Sequence, residues 1–403
     1  DFVVRGQGER TFEELVRSLR DGLSYSSIPG LTYKKDGTPV SCPDRDFEDI
    51  NNFPPLPYYM VDLEKYVVKT DLGLRTTHYF SSQGCPNRCS FCSELLVNKR
   101  RWSGLNATRV LDDIEWLAKN HAINGIILVD SNFFVNKERV RQICKGLIDR
   151  SLKIKWGGAN AVTRDLARFD DELWDLLKES GCKSILVGAE SGSQEILGLI
   201  GKGATIDETV QIAEICDRYG IYVQFSLMLG FPGKNIAEEF HLILDLIARI
   251  MAKSLMHIFL LFIYTPYPGS PLSALSTRYG FQPPRTFEGW SHFELSASNT
   301  PWVAKKYVRL VSMLMDYFFF FFGSGYTFHI DSISNRFLRG IVRRVYNTFD
   351  SIVRLRWKHR IFLFPADYFI FRYVAWPIAN RYLKTKSPKR ESSKLSAFYY
   401  LSP

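Results

Sequence analysis

Residues 81–94 read SSQGCPNRCSFCSE, which sets Cys85, Cys89 and Cys92 in a C-x3-C-x2-C spacing. Thiolates serve zinc, iron–sulfur clusters and disulfides, so the spacing has to discriminate. A structural zinc site needs four closed ligands, commonly arranged as two pairs. Here the next cysteine is Cys144 and His78 lies upstream of the loop, which leaves no fourth ligand close by. Three thiolates on one loop can instead bind three irons of a [4Fe-4S] cube and leave the fourth open to a substrate or cofactor. The alternative is a structural metal knuckle. Disulfides fit poorly: seven cysteines is an odd number, and Cys42, Cys144, Cys182 and Cys216 stand alone. Cys144, Cys182 and Cys216 fall in or beside helical patterns and read as small buried hydrophobes. No signal-peptide pattern opens the sequence, and the expected compartment is the reducing cytoplasm.

From residue 77 the chain alternates short apolar runs with amphipathic stretches. The runs are THYFSSQ (77–83), GIILVD (125–130), KIKWGGAN (153–160), SILVGAE (184–190), IYVQFSLMLG (221–230) and MHIFLLFIY (256–264). Each reads as a strand. The stretches between them carry apolar residues at i, i+3, i+4 spacing, with start and stop signals such as Asp207 before one helix and Gly220 after it. Strand–helix alternation predicts a parallel sheet with right-handed crossovers, either open and doubly wound or partly closed as a barrel. In both, ligands gather at the carboxyl ends of the strands. The chemistry-bearing motifs fall there: the cysteines after strand one, Asp130, then GGAN (157–160), ESGS (190–193), GFPG (230–233) and PYPGS (266–270).

The flanks differ in kind. Residues 1–27 read as one strand and one helix, DFVVRGQGERTFEELVRSL, with no partner strands before them, and we expect a longer protein whose N-terminal domain mostly precedes this chain. Residues 28–74 predict a hairpin around Asp36-Gly37 and a Pro-rich linker. The expected domain of residues 75–280 is followed by a helical region, 281–403, with the run Phe318–Phe322. The net charge of +10 is concentrated there: residues 301–403 hold 18 Lys and Arg against 5 Asp and Glu, leaving residues 1–300 near neutral. That region reads either as a helical cap whose aromatics pack on the sheet or as a surface for peripheral contact with an anionic membrane. The longest uncharged stretch, Ser254–Thr277, contains Pro266, Pro268 and Pro271, which argues against a membrane-spanning helix.

C-x3-C-x-aromatic-C, here Cys85, Cys89, Phe91 and Cys92 directly after the first strand of a six-unit repeat, resembles the radical S-adenosylmethionine (SAM) superfamily. The resemblance covers about residues 75–275. It implies an α/β fold, a partial (β/α)6 TIM-like barrel, and a [4Fe-4S] cluster whose open iron chelates SAM. It also implies reductive cleavage of SAM to methionine and a 5′-deoxyadenosyl radical. By the same resemblance Phe91 and the backbone beside it contact the adenine, and Asp130, Ser131 and Asn132 help hold the methionine end. The sequence there is DSNF where the family commonly has DDxF. Glu190 and Ser191 take the ribose or amino-acid part, Lys202 in IGKG pairs with the SAM carboxylate, and Gly230, Pro232 and Gly233 pass close to the adenine.

Within the superfamily, VVRGQGERTFEELV, FPPLPYYMVDLEKY, GAESGSQEIL, GKG and PYPGS together resemble the cobalamin-binding group, which includes the anaerobic magnesium-protoporphyrin ester cyclase and the hopanoid methylases. In that group a Rossmann-like cobalamin domain precedes the barrel, and residues 1–27 resemble its last strand and helix. The chain has no D-x-H-x-x-G motif, so the resemblance implies that cobalamin is held mainly by sequence upstream of residue 1. The expectation is a cobalamin-dependent methyltransferase acting on an unactivated carbon of an apolar or secondary-metabolite small molecule. Its electrons would come from a donor such as flavodoxin or ferredoxin, and no nucleic-acid partner is expected. A radical cyclase or rearranging enzyme without methyl transfer is the enzymatic alternative. A non-catalytic iron–sulfur electron-transfer protein is the alternative of another class.

Overall fold

The computed structural model describes residues 1–291, 293, 300–322, 330–331, 333–362 and 365–377. The strands are β1 (Phe2–Val4), β2 (Leu31–Lys35), β3 (Thr38–Ser41), β4 (Thr76–Tyr79), β5 (Ser82–Gly84), β6 (Trp102–Gly104), β7 (Gly125–Leu128), β8 (Lys155–Gly157), β9 (Ala159–Ala161), β10 (Ser184–Glu190), β11 (Tyr222–Leu229) and β12 (Ile258–Ile263). Parallel pairing runs β4–β7–β8 and β9–β10–β11–β12. β8 and β9 are two halves of one run broken at Gly158, and a parallel bridge between Trp156 and Cys182 links β8 to the approach of β10. Each run therefore lies beside the next in sequence, as successive strand–helix–strand crossovers dictate. Burial on both faces explains their near-continuous apolar sequences: Ile185, Val187, Val223, Phe225, Leu227, Leu229 and Leu261 are fully buried.

Two expectations need correction. The first run, 77–83, is not one strand. β4 is parallel to β7, but the chain then leaves the sheet and β5 pairs antiparallel with β6. The cause is Asp130, whose carboxylate takes the backbone N–H of Ser81 and the hydroxyls of Ser81 and Ser82 and so draws the chain out of line. The second concerns the helix Ile206–Tyr219. Its N-cap is Thr205, in a reciprocal capping box with Glu208, while Asp207 lies inside the first turn and favours the positive end of the dipole. Gly220 ends that helix in the left-handed conformation, as expected.

The crossover helices pack by periodicity. Ala107–His121 buries Val110, Leu111, Ile114 and Leu117, and Ile236–Met251 buries Phe240, Ile243, Leu244, Ile247 and Ile250. Cys144, Cys182 and Cys216 are fully buried among these contacts. In the C-terminal region Phe318–Phe322 are all buried. Phe319 meets Phe259 of β12, and Phe318 packs on Phe362 beneath the Arg356 guanidinium. Two polar ties cross this aromatic cap: Asp367 joins Arg356 to the Tyr317 hydroxyl, and Asp316 joins Arg372 to that of Tyr368. Among the described residues, no helix is long and apolar enough to cross a membrane.

At the N-terminal end the hairpin turns at Asp36-Gly37, both at positive φ, and β1 pairs antiparallel with β2. Segments 1–27 and 28–74 thus meet in one small sheet, where Leu15 packs on Ile28, Leu31 and Cys42. The Gln7 side chain ties this unit to β5 through a 2.9 Å hydrogen bond to the side chain of Gln83.

Candidate functional site

The cysteine loop begins at Gly84 (φ +84°), where a Cβ would collide with the Arg101 carbonyl as the chain returns into β6. Cys89 is buried, and Cys85 and Cys92 are half-buried. Three other loops pin the segment. The Ser90 N–H donates to the Ile200 carbonyl, and the Leu272 N–H donates to the Ser90 carbonyl, each at 2.9 Å. The Asn87 amide donates to the Cys85 sulfur at 3.2 Å and is itself held by Arg164. Burial pushes the Cys89 thiol up to about 11, and the nearby Lys202 pulls it the other way. The Cys92 thiol is raised too, again mainly by burial.

Lys202 is no solvent-facing loop lysine. It is buried and donates to Glu190 at 2.6 Å, with both side chains less than a tenth exposed. Burial alone would lower its pKa, but Glu190, Cys89 and Cys85 together raise it, so the ammonium stays charged beside the cysteines. Glu190 has a left-handed backbone (φ +61°) at a bulge where β10 slips register against β11. Backbone strain of this kind in a non-glycine residue persists where the surroundings enforce it, and it is common at functional sites. Gly188 leaves the room: a Cβ there would strike both the Glu190 carboxylate and the Lys202 ammonium. Ser191 is buried, with its hydroxyl accepting the Ser193 N–H.

The β11 turn is clamped. Gly230 has φ +86°, and a Cβ there would come within 2.8 Å of Val303. Its N–H donates to Glu239 at 2.9 Å, its carbonyl accepts from the Trp302 indole at 2.8 Å, and the Phe231 N–H also reaches Glu239. Burial raises the Glu239 carboxyl to about 7, opposed by those two N–H bonds. Pro232 is buried and Gly233 exposed, with Tyr279 close over the latter. Phe91 lies on an apolar pad of Ile196, Leu197, Ile200, Phe231, Tyr264 and Leu272, which joins the cysteine loop to the ends of β10, β11 and β12.

The polar groups of the β7 loop have partners within the protein. Asp130 spends one oxygen on Ser81 and Ser82 and sits near Arg139, which holds the Ser81 carbonyl. Ser131 donates to Glu94. Asn132 caps the Phe134 N–H, donates to Asp165 at 2.9 Å, and accepts from the Trp102 indole through its carbonyl. Asn132 therefore turns its polar groups into the scaffold, while the Ser131 hydroxyl meets Glu94 at the surface. Glu239, Trp302, Arg139 and Gly188 escaped the sequence reading. The local signal for Glu239 was an acidic pair, Glu238 and Glu239, in the first turn of the helix after GFPG.

The donor set fits a cluster with an open iron. The three thiols lie close enough to act on one another's charge, with Cys85 and Cys92 both acting on Cys89. Three thiols on one loop with no fourth ligand beside them suit a cube with one open iron better than a closed zinc site. The second Asp130 oxygen and the hydroxyls of Ser90 and Thr163 are buried with no hydrogen-bond partner, which suits a polar ligand.

A parallel sheet with this loop and a buried ion pair at its carboxyl edge has the layout of an iron–sulfur enzyme with an open cluster position. Residues 79–247 match the model of the Radical SAM superfamily, and the chain carries a domain of that superfamily. Over 68% of its length it is 33% identical to the "Uncharacterized methyltransferase PH0819" of Pyrococcus horikoshii, of which it covers 57%. It is 28% identical over 58% of its length to the anaerobic magnesium-protoporphyrin IX monomethyl ester cyclase of Rubrivivax gelatinosus, covering 42% of that protein. Among solved structures it resembles the radical SAM methyltransferase TsrM from Kitasatospora setae, with cobalamin and a [4Fe-4S] cluster bound. The TM-score is 0.53 at 21% identity, over 69% of this chain and 54% of that one, a likeness of fold. The chain spans about half the length of the curated relatives it matches.

Proposed function

We propose that this chain is the SAM-cleaving part of a cobalamin-dependent radical methyltransferase acting on an unactivated carbon of an apolar or secondary-metabolite small molecule. When bound, the cluster and SAM supply a 5′-deoxyadenosyl radical by reductive C–S cleavage, and cobalamin supplies the methyl group. The chain holds and orients them. Cys85, Cys89 and Cys92 bind three irons, and the Glu190–Lys202 pair offers opposite charges to the amino and carboxylate groups of SAM. Phe91 and the backbone of Gly230, Pro232 and Gly233 form an apolar edge for the adenine, with Ser191 toward the ribose. Asp130 and Asn132 act by fixing the loops around the methionine end. The apolar pad under Phe91 keeps water from the reacting atoms.

The observation that carries this reading is the meeting of the cysteine loop, the Glu190–Lys202 pair and the Gly230 turn at one end of parallel strands. The sequential strand order supports a partial (β/α)6 barrel with that end as its mouth. We read residues 75–280 as this domain, 1–27 as the last strand and helix of a cobalamin-binding domain, and 281–403 as the cap and its basic tail. The electron comes from a small carrier of the flavodoxin or ferredoxin kind.

The deciding experiment is anaerobic reconstitution with iron and sulfide, then electron paramagnetic resonance of the reduced protein with and without SAM. The expected result is a [4Fe-4S] signal that shifts on adding SAM and is lost in Cys89→Ala. A signal indifferent to SAM overturns the reading. The relatives named as cyclases favour a second reading, oxidative cyclisation without methyl transfer. Product mass separates the two, since methylation adds one CH2 unit.

A further inference from the structure

The longest helix of the described residues, Arg336–Lys358, lies on the surface of the C-terminal region. One face is spoken for: Val353 is buried, and Tyr346, Phe349 and Trp357 pack into the aromatic cap. The opposite side is not what a solvated helix presents. Phe337 is 79% exposed and Leu355 59%, with Ile341 and Val345 exposed between them. At 100° per residue, Phe337, Ile341, Val345 and Leu355 fall within about 80° of one another, forming a single apolar stripe. Arg336, Arg343, Arg344 and Lys358 line one edge of the stripe, and the helix carries seven basic residues against one acidic residue, Asp350. Asp350 is already paired with Arg354.

We infer that this helix is a docking surface for an anionic lipid bilayer, lying in the interface plane with Phe337, Ile341, Val345 and Leu355 sunk toward the acyl chains. An exposed apolar stripe bordered by arginines is the signature of such helices, because the long cationic side chains reach the headgroups while the apolar stripe is buried. Charge selects the occupant. A second copy of the chain would oppose two helices of net charge +6, and nucleic acid would meet phenylalanine and leucine where it needs a run of cations. The surrounding charge points the same way, with residues 301–403 at a net +13. The inference is independent of the cofactor reading, but it deepens it by bringing the enzyme to where an apolar substrate is dissolved.

Flotation of the full chain with phosphatidylcholine vesicles, with and without about a quarter phosphatidylglycerol, tests this. Binding is expected to the anionic vesicles only, weakening roughly tenfold as salt rises to about 0.5 M. Phe337→Glu with Ile341→Glu should abolish it, and Arg336→Gln with Arg344→Gln should weaken it roughly fivefold per charge removed. These side chains are all on the surface, so unchanged circular dichroism and iron incorporation will show that the fold is kept. No flotation of the natural chain, equal flotation with neutral vesicles, or wild-type flotation of the double glutamate variant would each overturn the inference. The last result would assign the binding to another basic segment. Loss of SAM binding in the resonance experiment, by contrast, would leave the inference standing.

Discussion

The cysteine-loop end of the sheet and the aromatic cap against β12 are held by opposite means. At the loop, direction does the holding: backbone groups of Ser90, Leu272, Gly230 and Phe231 each meet one fixed partner, and glycines clear the space around Glu190 and Lys202. In the cap, area does it: Phe318–Phe322 pack ring on ring with Tyr346, Trp357, Phe362 and Phe371. A hydrogen bond contributes about 1 kcal/mol net but fixes an atom to within tenths of an ångström, whereas a buried ring contributes several kcal/mol with loose directionality. Stability and site geometry therefore reside in different parts of the molecule, and substitutions should separate them.

The sharpest separation is Cys89→Ala, expected to abolish the cluster, measured as iron content and resonance signal, while moving the urea midpoint little. Phe318→Ala should do the reverse. It should cost about 3–5 kcal/mol by urea titration, as for other buried phenylalanines, with iron per folded molecule unchanged.

Glu239 sits between these extremes, because a directional clamp is there combined with burial. Its carboxyl titrates near 4.5 when unfolded and near 7 when folded, so between those values the folded chain binds the extra proton. Stability from this group is fully present below pH 4.5 and is lost as pH rises through 7, about 3 kcal/mol in all. Glu239→Gln should flatten that slope in urea titrations compared at pH 5 and pH 8. A slope that persists would mean that the proton is not on Glu239.

The smallest effect belongs to Trp302→Phe, which keeps the ring and removes only the bond to the Gly230 carbonyl, worth about 1 kcal/mol. We expect SAM affinity to fall roughly fivefold with the cluster signal retained. A loss of stability with SAM affinity unchanged would place Trp302 with the cap rather than with the turn.

Much of this was legible from local pattern. Strand and helix positions follow from apolar period, which burial on the sheet or under a helix face imposes directly; the motifs lie at strand ends except GGAN, which spans the break at Gly158 and runs into β9. What stayed illegible was set by distant partners. Nothing near residue 81 says that the strand breaks there, because Asp130 breaks it. Nothing beside Lys202 names its partner Glu190, twelve residues away, and the clamp on Gly230 needs an indole 72 residues downstream. DSNF signals polar chemistry, yet the structure directs Asn132 to Asp165, a choice that composition cannot encode.

That same indole sets an order of events during synthesis. The cysteines and all the strands of the described residues leave the ribosome before Trp302 does, so a nascent chain has its sheet before the carbonyl of Gly230 is capped. The Gly230 turn is thus completed only with the C-terminal region, and a chain stopped after β12 would carry the strands without the finished turn.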